Sequence, residues 1–118
     1  VGGDRFVRVT DTPPAAPEVG LDELAQALEA GATVVDVREL DEYVKAHVPG
    51  VQLLPLSEFE QRWQEIPSDG PVYVICGSGP RSMRAAIALR QAGVDAINVA
   101  GGTRAWANEG RPIESGQP

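Results

Sequence analysis

A chain of 118 residues has room for one domain, and its 42% hydrophobic and 23% charged residues are those of a globular protein with a core of its own. The formal net charge is -7 and the ten Lys and Arg are scattered, which speaks against a nucleic-acid partner, because a phosphate-binding surface needs clustered cations. One cysteine excludes an internal disulfide, and with a single histidine it leaves too few soft ligands for a zinc centre, so neither metal nor cofactor is expected. No apolar run reaches the length of a membrane span and no hydrophobic signal region opens the chain; the expectation is a cytoplasmic protein without a membrane partner, monomeric or weakly dimeric. The chain begins at Val1 without a methionine, as a processed or trimmed product would.

Residues 1–20 read as an N-terminal arm. Arg5 to Val9 alternates weakly like an edge strand, and Thr12 to Pro17 reads as an extended, proline-rich linker on the surface. The domain is expected over residues 21–118. Leu21, Leu24, Ala25 and Leu28 recur at helical spacing with Gly31 placed to end the helix, and Thr33 to Val37 is a short β-branched strand. Glu39 to Ala46 reads as a short helix stopped by Pro49-Gly50, and Val51 to Leu54 as a further strand. Ser57 with Glu60 forms a capping-box pattern that opens a helix through Phe59, Trp63 and Ile66. Val72 to Ile75 is the most hydrophobic strand, as a central strand covered on both faces would be. Ser82 to Ala92 is a helix, Asp95 to Val99 the last strand, and Gly101-Gly102 turns the chain into a final helix over 103–108. Strands alternating with helices through short connections predict parallel βαβ units in a three-layer α/β domain.

The only cysteine, Cys76, ends the apolar strand and is followed by Gly77, Ser78, Gly79, Pro80, Arg81 and Ser82. In an open α/β sheet, ligand sites lie beyond the carboxyl ends of the strands, where this turn falls. A glycine-bearing turn lets successive amides converge on one point, and the helix that follows adds the positive end of its dipole; both favour an anion. Such surroundings lower a thiol pKa from ~8.5 to ~7 or below, which makes Cys76 a candidate nucleophile. The bland alternative, a small buried hydrophobe, is disfavoured because the residues after Cys76 do not build a core. Without a resolving cysteine, anything bound to Cys76 must leave to another molecule.

Asp36-Val37-Arg38, Glu42-Tyr43, His47-Val48-Pro49-Gly50-Val51, Cys76 to Ser82, and Gly101-Gly102 with Trp106 occur in this order, and together they resemble a single-domain rhodanese, a sulfurtransferase-type module. The resemblance implies a three-layer rhodanese-like fold with a central, mostly parallel five-stranded sheet flanked by helices. It also implies a catalytic Cys76 that takes a sulfane sulfur from a donor as a persulfide and passes it to a thiol or cyanide acceptor. Residues Gly77, Ser78, Gly79, Pro80, Arg81 and Ser82 would bind the substrate, the donor being thiosulfate or a small-molecule or protein persulfide. Arg81 either orients an anionic donor or turns back to tie the loop to acidic neighbours, and Ser82 is expected to cap the following helix. Asp36 and Arg38 are expected to support the loop as an ion pair, His47 to serve a structural turn, and Trp63 and Trp106 to pack.

A related group of cysteine phosphatases whose fold this chain resembles separates cysteine and arginine by five residues, whereas Gly77 to Pro80 make four. The smaller ring suits sulfur better than phosphate. Two alternatives stay open: a non-catalytic interaction module, and more remotely a cysteine-dependent phosphatase or arsenate reductase. The loop carries no second basic side chain; Gly77 and Pro80 stand where thiosulfate enzymes of the family often carry cations.

Overall fold

The computed structural model of the protein describes residues 14–118. In chain order it runs β1 (Glu18–Val19), α1 (Leu21–Glu29), β2 (Thr33–Asp36), α2 (Leu40–Lys45), β3 (Gln52–Leu53), α3 (Phe59–Arg62), β4 (Val72–Ile75), α4 (Pro80–Gln91), β5 (Ala96–Val99) and α5 (Gly102–Asn108). The five strands form one sheet in the order β1-β5-β4-β2-β3, and every pairing is parallel. The α/β class with a five-stranded central sheet is therefore as the sequence predicts.

Successive residues of a strand point to opposite faces, and each face here has its own core. Val35, Val72, Val74 and Ala96 pack with Phe59, Ala85, Ala86 and Leu89 of α3 and α4. Val34, Ile75 and Val99, one residue out of step, pack with Leu21 and Leu24 of α1 and Trp106 of α5. Burial on both faces is why β4 reads Val-Tyr-Val-Ile with no polar position. Trp63 packs partly buried against the first core, and Trp106 is buried with its indole N–H donated to the Pro112 carbonyl at 2.7 Å.

Two expectations are corrected. The surface arm does not extend to residue 20: Ala16 is buried, the Pro17 carbonyl accepts the Asn98 N–H at 2.8 Å, and β1 pairs with β5. The reason is that β5 would otherwise leave an open row of backbone donors and acceptors at the edge of the sheet. The strand expected over Arg5–Val9 lies outside the described residues. The helix opened by Ser57 is also absent as such; Leu56–Glu58 and Trp63–Glu65 are 3₁₀ turns flanking the single turn of α3. Ser57 gives its N–H and its hydroxyl to the Glu39 carboxylate, 3.2 and 2.7 Å away, instead of capping a helix. No helix among the described residues is long and apolar enough to cross a membrane.

Leu24, with no exposed surface, anchors α1 against the sheet, whereas Leu40 is 44% exposed. Leu24→Ala should cost about 2–5 kcal/mol, seen as a lower urea midpoint at unchanged slope, while Leu40→Ala should stay within about 0.5 kcal/mol.

Candidate active site

The site forms where β4 hands over to α4. The Ile75 carbonyl accepts the Val37 N–H as pairing along β4 ends, Cys76 to Gly79 form the turn, and Pro80 opens α4 at a position where a missing N–H costs nothing. Gly79 sits at φ +127°, a conformation that side-chain-bearing residues avoid, and this turns its N–H onto the Cys76 Sγ at 3.1 Å. The Ser82 hydroxyl lies 3.3 Å from the same sulfur. Cys76 has no exposed surface. Burial pushes the thiol pKa up, but hydrogen bonds from the Ser82 hydroxyl and from the amides of Ser82, Gly79 and Ser78 outweigh it, leaving the pKa below that of an ordinary cysteine.

Ser82 is not the helix cap it was expected to be. Because α4 begins at Pro80, Ser82 falls in its first turn, wholly buried, with its hydroxyl 3.0 Å from the Gly79 carbonyl and 2.5 Å from Asn98 Oδ1. Asn98, a lone polar residue on the α4-facing side of β5, gives its Nδ2 to Glu18 Oε2 at 2.7 Å. Its position inside an apolar strand was the available sequence signal for it.

The other wall of the loop is α5. Thr103 and Arg104 donate their amides to the Cys76 and Gly77 carbonyls at 2.8 and 2.9 Å. This approach is possible only at glycine: a Cβ on Gly102, at φ +62°, would stand 2.5 Å from the Cys76 carbonyl oxygen. The glycine pair read from sequence as a turn thus fixes the height of the cysteine loop.

Arg81 turns back. Its guanidinium forms a two-pronged pair with Glu42 of α2, at 2.8 and 3.0 Å. Arg81 holds Glu42 down from the ordinary 4.5 to about 2, against the opposing effect of burial. Asp36 and Arg38 form a buried pair at 2.9 Å, and Arg38 also donates to the Ala46 carbonyl. The pair flanks the loop through Gly77 and makes no hydrogen bond to Cys76 among the described residues. Of the expected binding residues, Ser78 and Pro80 lie exposed at the rim, while Gly77 and Gly79 are half-buried. His47 is buried in a turn, stacked on Tyr43 with ring centroids 3.7 Å apart and Nδ1 2.7 Å from the Tyr43 carbonyl.

A parallel sheet with a cysteine cradled at the carboxyl end of its central strand defines the class, and comparison supplies the family. Residues 20–109 match the Rhodanese-like domain, and the chain belongs to that family. YrkF of Bacillus subtilis, named as a candidate sulfur carrier protein, is 40% identical over 96 residues, covering 79% of this chain; the chain spans 52% of that relative's length. A protein of Allochromatium vinosum named sulfurtransferase is 36% identical over 99 residues, covering 81% of this chain and 92% of its own. Among solved structures, a rhodanese-related protein of Thermoplasma volcanium superposes with a TM-score of 0.78 at 31% identity, covering 83% of this chain and 97% of its own.

Glu42 has a depressed pKa in the folded state, so its contribution to stability is full above pH 4.5 and is lost as pH falls toward about 2. The pair is partly exposed, so screening limits it to roughly 0.2–1 kcal/mol, and Glu42→Gln should flatten that part of the stability–pH curve in acid titrations followed by circular dichroism. Gly102→Ala should destabilise by about 2–4 kcal/mol and change the alkylation rate of Cys76. Gly110→Ala, at φ +76° with nothing within 4 Å, should cost only the backbone strain, about 1–2 kcal/mol.

Proposed function

We propose that this chain is a sulfurtransferase that carries a sulfane sulfur on Cys76 and takes it from a persulfide in preference to thiosulfate. The observation that carries the reading is the buried Sγ met by the Gly79 amide and the Ser82 hydroxyl, with the pKa of the thiol lowered. Thiolate is the form that attacks sulfur. In the first step the Cys76 thiolate attacks the outer sulfur of the donor, the donor's S–S bond breaks, and the donor leaves as a thiolate. Cys76 then bears a persulfide whose terminal sulfur holds the negative charge. In the second step a thiolate or cyanide attacks that terminal sulfur, and Cys76 leaves as the thiolate with which the cycle began.

Amides aimed at the loop suit both anions, since backbone dipoles stabilise charge without adding a titrating group. The preference for a persulfide rests on Arg81. It is the one cation within the loop from Cys76 to Ser82, and its hydrogen-bonding edge is already filled by Glu42. A thiosulfate dianion would have to displace that carboxylate, whereas a persulfide with a single charge needs only the amides. A cytoplasmic setting would keep Cys76 reduced and ready.

Incubation with a low-molecular-weight persulfide should add one sulfur atom to the intact protein by mass spectrometry, and cyanide should remove it as thiocyanate. Cys76→Ser should abolish both. A chain that never gains sulfur on Cys76 from any donor would overturn the reading in favour of a docking module. Glu42→Gln, by releasing Arg81, should raise kcat/KM for thiosulfate about tenfold, mainly through KM, and leave the persulfide reaction little changed.

A further inference from the structure

Ser82 has one hydroxyl proton and three acceptors for it. Cys76 Sγ lies at 3.3 Å, the Gly79 carbonyl at 3.0 Å and Asn98 Oδ1 at 2.5 Å. The shortest of these is fixed from outside. A carboxylate only accepts, so Glu18 draws the Nδ2 of Asn98 toward itself at 2.7 Å and leaves Oδ1 facing Ser82. Ser82 and Asn98 are both buried, at 0% and 1% exposure, so no water competes for that proton, while Glu18 lies exposed on the edge strand β1.

We propose that Glu18 and Asn98 are positioning residues that compete with the Cys76 sulfur for the Ser82 proton and thereby set how readily Cys76 ionises. While Cys76 is a thiol, the Ser82 hydroxyl donates to Asn98 Oδ1 and its lone pair faces the S–H. When the thiol proton leaves to bulk solvent, the hydroxyl turns from Asn98 to the thiolate, and one hydrogen bond is exchanged for another. Loading reverses the exchange, because charge then moves to the outer sulfur and the inner one no longer demands a donor. The thiolate is stabilised by the new bond less the one given up, so a stronger hold by Asn98 makes Cys76 less acidic.

Other charged groups around the sulfur do not act through this hydroxyl. Arg81 of α4 is paired with Glu42 of α2, Arg38 beyond β2 is paired with Asp36, and the exposed Arg104 of α5 reaches the loop with its backbone amide. Glu18 and Asn98 therefore influence the thiol by a route that can be cut at a single atom, Oγ of Ser82.

The measurement is the pH dependence of iodoacetamide alkylation at constant ionic strength, which reads the Cys76 thiolate alone because the chain has no other cysteine. Asn98→Ala removes the competing acceptor and should lower the Cys76 pKa by about 0.5–1 unit. Glu18→Lys places a donor against Asn98, turns its amide so that Nδ2 faces Ser82 Oγ, and should shift the pKa in the same direction. Ser82→Ala should raise the pKa by about 1–2 units. In that background Asn98→Ala should have no effect, and Glu18→Lys only the weak effect of its charge. An unchanged pKa in Asn98→Ala, or an equal shift with and without Ser82, overturns the proposal. If Asn98→Ala does not fold, Glu18→Lys on the exposed edge decides by the same comparison. The importance of the relay for sulfur transfer rests on the function proposed above, but alkylation does not, so the two can fail separately.

Discussion

A fully enclosed thiol whose pKa lies below that of an ordinary cysteine needs hydrogen bonds to replace those that water would have given its anion. Burial alone would leave Cys76 a neutral thiol, because an ion moved out of water loses far more than one weak contact restores. The turn supplies donors in one place: the amides at the start of α4, which have no carbonyl within the helix to bind, and one hydroxyl one turn in. The rest of the local sequence serves that convergence. Gly79 adopts a backbone angle that turns its amide inward, Pro80 starts the helix without an N–H to satisfy, and Ser82 carries the hydroxyl.

A cradle of dipoles is useful only if it is rigid, and the rigidity comes from elements distant in sequence. The N-terminal amides of α5 hold the Cys76 and Gly77 carbonyls, so the loop offers its own carbonyls to one helix while it aims its amides at the sulfur. Arg81 pins the far side of the loop to α2 through Glu42, which also accepts the Glu39 N–H at 3.1 Å and so closes the first turn of α2. One carboxylate therefore joins the start of a helix to the rim of the site. Asp36 and Arg38 do similar work beside it, their charges cancelled within the pair and against the Ala46 carbonyl.

The class of fold and the position of the cysteine were legible in the sequence because both rest on local pattern. Val72 to Ile75 is apolar at every position, and Cys76 is followed at once by glycine and proline, so strand end, turn and helix start read directly. What was not legible depends on partners far apart in the chain. Nothing near Ser57 reveals that Glu39 would take its hydroxyl, and nothing near Ser82 reveals Asn98, sixteen residues on. The direction of Arg81 was likewise open, because Glu42 lies 39 residues away and meets it only once β2 and β4 pair in register. The edge strand β1 was missed for a different reason: two residues carry no periodicity, and Pro17 beside them reads as a linker.

The arrangement of charge also bears on what the site can hold. Arg38 and Arg81, which flank the loop, are ion-paired with Asp36 and Glu42, so the hydrogen bonds that reach the Cys76 sulfur come from an amide and a hydroxyl and not from a cation. Dipoles fixed at about 3 Å stabilise a single charge placed among them and fall off steeply beyond it. A phosphoryl or thiosulfate dianion spreads its charge over several oxygens and needs cations at its periphery, and Arg81, the one cation from Cys76 to Ser82, is already paired with Glu42. The persulfide proposed for Cys76 would instead carry one charge on one atom. Under the proposed function, a cradle of short-range dipoles suits that single charge better than a dianion.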